Sequence, residues 1–127
     1  MIELAPEEIE ETRGCYCLAA RKRARELTRR YEAALRPQGL RATQFSVLAA
    51  LAQTGPQPIS KLAGILGLER TTLTRVAGVM QKAGWLSVTS GSDERIRILG
   101  ITMNGKRVLA AALPAWKRVQ DEITQNG

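Results

Sequence analysis

Apolar residues recur at helical spacing through most of this chain, and the interruptions mark its joints. Residues 6–36 are expected to form one long helix. Leu27, Tyr31, Ala34 and Leu35 make an apolar stripe spaced by three and four positions. Pro6 suits a first helical turn, and Glu7 and Glu8 suit the positive end of the helix dipole. Pro37 and Gly39 should end the segment. A second helix is expected with Thr43 as its cap, carrying Phe45, Val47, Leu48 and Leu51. Residues 54–58, Thr-Gly-Pro-Gln-Pro, read as a loop. Ser60 is the expected cap of a third helix running to about Leu66, and a fourth covers residues 69–83 and stops at Gly84.

Beyond Gly84 the pattern shortens. Residues 85–89 and 95–101 read as two strands joined by the tip Ser90-Gly91-Ser92-Asp93-Glu94. Thr102 is the expected cap of a fifth helix to about residue 125, which Pro114 should kink. The pattern holds no internal repeat and no low-complexity segment. It predicts one domain over residues 1–127, mainly α with a small β-hairpin.

Residues 59–76 carry the sharpest local signal. Small Ala63 lies four positions before Gly67, and Leu62, Leu66, Leu68, Leu73 and Val76 surround the pair. A helix-turn-helix needs a small residue where its helices touch and a glycine where the backbone turns sharply. Such a unit lays its second helix in the DNA major groove. On a helical wheel Leu73, Val76, Ala77 and Met80 face inward, while Thr71, Thr74, Arg75, Gly78 and Lys82 face outward. That outer face carries no acid. Arginine can pair twice with a guanine edge, and threonine can meet a phosphate or a thymine methyl. The plain alternative is a solvated helix face; the turn beside it favours DNA. The expected major-groove set is Arg70, Thr71, Thr72, Thr74 and Arg75. Arg95 and Arg97 flank the hairpin tip like the arginines of a wing, suited to a narrow minor groove, with Asp93 placed to hold Arg95 extended. The alternative there is a surface turn with a local ion pair.

Composition agrees with this reading. The 127 residues are 44% hydrophobic and carry a net charge of +7, which favours an anionic partner. Glu3, Glu7, Glu8, Glu10 and Glu11 hold five of the twelve acids, so the remainder sets nineteen cations against seven acids, a charge of +12. No apolar run is long enough for a membrane span, and the acidic N-terminus is unlike a signal peptide, so a cytoplasmic protein without membrane contact is expected. The chain has no histidine, which removes the commonest general base and zinc ligand; no metal or cofactor is implied.

The segments Gly39-Leu40-x-x-Thr43-Gln44-Phe45, Leu62-Ala63-x-x-Leu66-Gly67-Leu68-x-x-Thr71-x-Leu73-Thr74-Arg75, Lys82-x-Gly84-Trp85-Leu86, Asp93-x-Arg95 and Ile101-Thr102-x-x-Gly105 together resemble the MarR family of winged helix-turn-helix transcriptional regulators. The likeness runs from about residue 13 to the end. It implies a ligand-responsive homodimeric repressor on a palindromic site in double-stranded DNA. Residues 6–36 and 102–125 would be the dimerisation helices and 43–101 the DNA-binding winged helix. It also implies release from DNA when a small aromatic or phenolic ligand binds between these parts. The family usually carries a further C-terminal helix, so for a chain ending at Gly127 either a reduced dimer interface or a short variant of the family is expected. Gly64 and Gly78 lie inside expected helices, at roughly 1 kcal/mol each relative to alanine.

Gly14-Cys15-Tyr16-Cys17 further resembles the start of the family's organic-peroxide-sensing branch, with Cys17 at the reactive position and Tyr31 at one supporting tyrosine; the second would fall at Ala42. The competing reading makes Cys15 and Cys17 small core-facing residues. Two other classes were weighed. A winged helix used as a protein-interaction module, without specific DNA binding, should expose an apolar patch rather than a cationic, threonine-rich face. An enzyme finds no nucleophile motif or phosphate loop here, so none is expected.

Overall fold

The structure is a computed structural model that describes residues 1–126. Its first helices are α1 (Pro6–Glu11) and α2 (Tyr16–Leu35), separated by a 3-10 turn, Thr12–Gly14. The expected single helix over residues 6–36 is thus broken. The Thr12 hydroxyl donates to the Ile9 carbonyl oxygen at 2.6 Å, Gly14 is a weak helix former, and Cys15 is extended. No residue before α2's middle is buried, so no packing rewards a continuous helix. The stripe on α2 does pack: Leu35 is fully buried and Leu27, Tyr31 and Ala34 are half-buried. A turn through Pro37 follows, and Gly39 supplies the left-handed φ of 74° that closes it.

Helix α3 (Ala42–Thr54) buries Phe45, Val47, Leu48, Ala50 and Leu51. Its cap differs from the expected Thr43. The capping position is Arg41, and the donors are satisfied by one side chain of the helix itself and one from α2. Gln44 Oε1 accepts the Arg41 N–H at 2.9 Å, and Glu32 Oε1, reaching from α2, accepts the Ala42 N–H at 2.9 Å. A carboxylate from another helix does the work of a local cap.

The loop expected at residues 54–58 contains a strand, β1 (Gln57–Pro58). It is too short to show a period and carries a proline, which an edge strand tolerates. Helix α4 (Ile59–Leu66) starts two residues earlier than expected. Pro58 occupies its cap position and Ser60, the expected cap, is an exposed first-turn residue. Burial of Ile59 draws that residue into the helix. Gly67, at φ 65°, ends α4, and the Leu68 N–H bonds the Ala63 carbonyl at 2.9 Å. Ala63 is buried where α4 meets α5 (Arg70–Lys82), as its size predicts. Helix α5 buries Leu73, Ala77 and Met80; Val76 is half-buried.

Strands β2 (Leu86–Ser90) and β3 (Arg97–Ile101) pair antiparallel from Leu86↔Ile101 to Ser90↔Arg97. β1 adds to the other side of β3, so the expected hairpin is a three-stranded sheet in the order β1-β3-β2. Helix α6 (Met103–Asn126) opens on Thr102, whose Oγ1 accepts the Gly105 N–H at 3.0 Å and donates to the Gly84 carbonyl at 2.6 Å. Helix α6 continues through Pro114. Phe45 and Trp116 stack at 5.8 Å, tying α3 to α6, and the Tyr31 hydroxyl donates to Gln120, tying α2 to α6. The largest fully buried side chains are leucines 35, 40, 48, 51, 62, 73 and 99, with Met80 and Val47, each worth roughly 1.5–3 kcal/mol of transfer. No described helix is long and apolar enough to cross a membrane.

Candidate nucleic-acid interface

Core packing decides which face of α5 is free. Leu73, Ala77 and Met80 are held inward, so Arg70, Thr71, Thr74, Arg75 and Lys82 project into solvent. Thr72 is half-buried at the edge of that face. The Thr74 hydroxyl donates back to the Arg70 carbonyl at 2.9 Å. The helix contains five cationic or hydroxyl-bearing side chains before Val76 and no acid anywhere in its span.

The wing converges on the start of this helix. Arg70, Arg95 and Arg97 line one cleft of about 350 Å³ with Ser60 of α4 and Asp93. Asp93 holds Arg95 at three points: Oδ1 accepts the backbone N–H at 2.9 Å and Nε–H at 3.3 Å, and Oδ2 accepts from the guanidinium at 2.9 Å. The side chain nevertheless stays 90% exposed. The Arg95 guanidinium holds the Asp93 carboxyl below its ordinary value, and the Asp93 carboxylate in turn raises Arg95 above its own. The wing arginine is therefore oriented but not covered. Arg97 also borders a second cleft against Thr74, Gly78 and Gln81, so it bridges the wing and the outer face of α5. At the tip, a Cβ on Gly91 would lie 3.0 Å from Ile96 Cγ2, a tight contact with a side chain, and the Gly91 N–H bonds the Ile96 carbonyl at 2.8 Å.

Thr72 and Arg75 lie on the other side of α5, in a groove of about 410 Å³ shared with Arg41, Thr43, Gln44 and Glu32. The sequence reading did not include Arg41, Gln44 and Glu32 in the site. Thr43 has a sequence signal only as an expected cap and, with Gln44, as part of the family pattern, and nothing local marks Glu32 as a partner of a helix ten positions away.

The cysteines are both free and exposed, Cys15 at the cap position of α2 and Cys17 in its first turn. The core-facing alternative for them is thus excluded within one chain. Cys17 and Tyr31 are not brought together: fourteen positions along α2 place them about 21 Å apart. Among the described residues, no group of three or more His, Cys, Asp or Glu is placed to hold a metal ion.

A family profile, MarR, matches residues 40–96, which covers α3, the helix-turn-helix and the wing tip. The chain is 42% identical to the M. tuberculosis transcriptional regulator MosR, solved in complex with DNA, with a TM-score of 0.83 over 89% of this chain and 83% of that one. AbfR, solved in an overoxidized form bound to DNA, is 26% identical, with a TM-score of 0.76 over 96% of both chains. The transcriptional repressor MprA of Escherichia coli is 35% identical over 83 residues, 63% of this chain and 47% of MprA. The chain spans about half to three fifths of the length of the curated relatives it matches. The winged fold, the profile match and the likeness to MosR across most of both chains agree: this chain belongs to the MarR family.

Proposed function

We propose that this chain is a homodimeric, sequence-specific DNA-binding transcriptional regulator that acts as a repressor on a palindromic operator. One observation carries the reading: the acid-free outer face of α5 lies beside a wing whose Arg95 is fixed by Asp93 yet exposed. Arg70, Thr71, Thr72, Thr74 and Arg75 would meet the major groove, and Arg95 and Arg97 the flanking minor groove. Residues 43–101 would form the DNA-binding part and residues 6–36 and 102–125 the dimerisation part. The DNA-bound forms of MosR and AbfR and the repressor description of MprA support this role. They also support a cytoplasmic, non-enzymatic protein.

Selection of bound duplexes from a random DNA pool tests the reading directly. Arg75→Ala should then cost roughly 1–3 kcal/mol and relax preference at one base position. A parent protein that selects no sequence would overturn the function.

The effector would be a small aromatic or phenolic compound. A cavity of about 220 Å³ between α2, α3 and α6 is lined by Leu27, Tyr31, Phe45 and Trp116, with Thr28 and Ser46 as polar edges. A phenolic acid that quenches Trp116 fluorescence and releases DNA would support it; no change in either would remove it.

A second reading, a peroxide-sensing repressor switched at Cys17, is favoured by the exposure of that thiol and by AbfR, solved bound to DNA in both reduced and overoxidized forms. The Cys17 thiolate would take the terminal oxygen of an organic hydroperoxide, forming a sulfenate and releasing the alcohol. Tyr31 could support it only from a second copy, given the distance within one chain. Stoichiometric organic peroxide should lower DNA affinity in the parent and leave Cys17→Ser unaffected. Unmodified Cys17 in a parent that stays bound would sink this reading.

A further inference from the structure

Helix α2 carries Arg25 and Arg29, and the turn after it Arg36, along the wall of an open groove of about 880 Å³, between the second half of α2 and the start of α3. Arg25 and Arg29 are one helical turn apart, so they project from the same face. Arg41 and Glu32 also line this groove, and the same two residues line the smaller groove that holds Thr72 and Arg75 of α5. The two grooves are therefore one surface, running from the outer face of α5 to the middle of α2.

Glu32 is the one acid lining either groove, and it is already engaged. Its Oε1 accepts the Ala42 N–H at 2.9 Å and its Oε2 accepts Arg41 Nε–H at 2.9 Å. The carboxylate is 20% exposed and the Arg41 side chain 76%. Glu32 thus spends its charge orienting Arg41 through Nε, and the outer guanidinium nitrogens remain turned to solvent. An arginine fixed at its inner edge and open at its outer edge is pre-organised for a phosphate, because little side-chain entropy is left to lose.

We infer that Arg41, Arg36, Arg29 and Arg25 form a second DNA-contacting track, which grips the phosphate backbone beyond the reach of α5 and the wing. The inference rests on the DNA-binding reading above and extends its footprint. The occupant is duplex DNA because the track is continuous with the base-reading groove, is uniformly cationic once Glu32 is engaged, and offers forks suited to phosphate rather than an apolar seat. Phosphate contacts position a protein and carry no sequence information. The track would therefore set affinity and register, while α5 sets preference.

The test uses the whole chain, a duplex selected from the random pool and a scrambled duplex of the same length, across a salt series. The variants are Arg41→Gln and the pair Arg25→Gln/Arg29→Gln, all at exposed positions. Each arginine removed from a phosphate should make the slope of log affinity against log salt shallower by about 0.9, and by twice that in a symmetric dimer. The loss should be equal on both duplexes. A parent that binds with its normal slope while either variant keeps that slope overturns the track and assigns the arginines to another anionic partner. A parent that binds neither duplex overturns the function itself, so the two failures are distinguishable.

Discussion

Two glycines in this chain have opposite meanings. Gly105, in the first turn of α6, is buried against the start of β2, and a Cβ there would lie 2.3 Å from the Trp85 carbonyl oxygen. Backbone cannot yield as a side-chain tip can. Gly105→Ala should destabilise the fold by about 3 kcal/mol in denaturant unfolding. Gly64 is exposed inside α4 with no atom within 4 Å of an added Cβ. Gly64→Ala should stabilise the fold by about 0.5–1 kcal/mol, since only conformational entropy changes. Equal effects from the two would show that the α6–β2 contact is looser than described. Asp93 supplies a pH signature at the same scale. Arg95 lowers its folded value below the unfolded one, so the tie is fully present above the unfolded value and is lost as pH falls through the lower folded value. An NMR titration of the Asp93 carboxyl should move upward in Arg95→Ala. A titration that does not move would mean that the two side chains do not meet in solution.

At the scale of elements, the wing and α5 divide the work. Core packing fixes the direction of α5, whereas the wing tip is held by its own turn: the Gly91 N–H to the Ile96 carbonyl, the Ile96 N–H to the Asp93 carbonyl, and the Asp93–Arg95 tie. Exposed ion pairs add little to stability. Arg95→Ala should therefore leave the unfolding midpoint nearly unchanged. It should weaken DNA binding most on sites with A·T-rich flanks, whose minor groove is narrow. Equal binding by parent and variant on both kinds of flank would take the wing out of the interface. Helix α3 shows how elements depend on one another. One of its first donors, the Ala42 N–H, is satisfied by Glu32 of α2, so the orientation of α3 is linked to a helix proposed for dimerisation.

For the whole molecule, exposed apolar side chains lie on the terminal helices as well as at Ile65, Val79 and Ile96 of the winged helix. Ile9, Tyr16 and Leu18 of the first two helices and Leu113 of α6 are exposed, Tyr16 at 92%. Apolar groups left on terminal helices are what a second copy would cover. Two recognition helices also need a dimer to reach half-sites one turn apart. Sedimentation at micromolar concentration should show a dimer, and Leu18→Glu with Leu113→Glu should shift it toward monomer and weaken operator binding together. A parent that sediments only as a monomer, with and without DNA, would end the dimer proposal.

The sequence by itself determined the elements whose cause is local. Gly67 must turn because only glycine takes that φ cheaply, Ala63 must be buried because two helices cross there, and Thr102 caps α6 through its own first turn. The period of Leu73, Ala77 and Met80 likewise revealed the outer face of α5 with its arginine and threonines. Tertiary structure decided whatever depends on partners distant in sequence. The two residues of β1 are a strand only because β3 lies beside them. The helix expected over residues 6–36 breaks because nothing in its first third packs against a core. Glu32 caps α3 and holds Arg41 although neither role has a local signature, since ten residues and a turn separate the carboxylate from its donors. Periodicity reports which face of an element avoids water. It cannot report which element that face will meet, and here those meetings join the arginines of α2 to the groove beside α5.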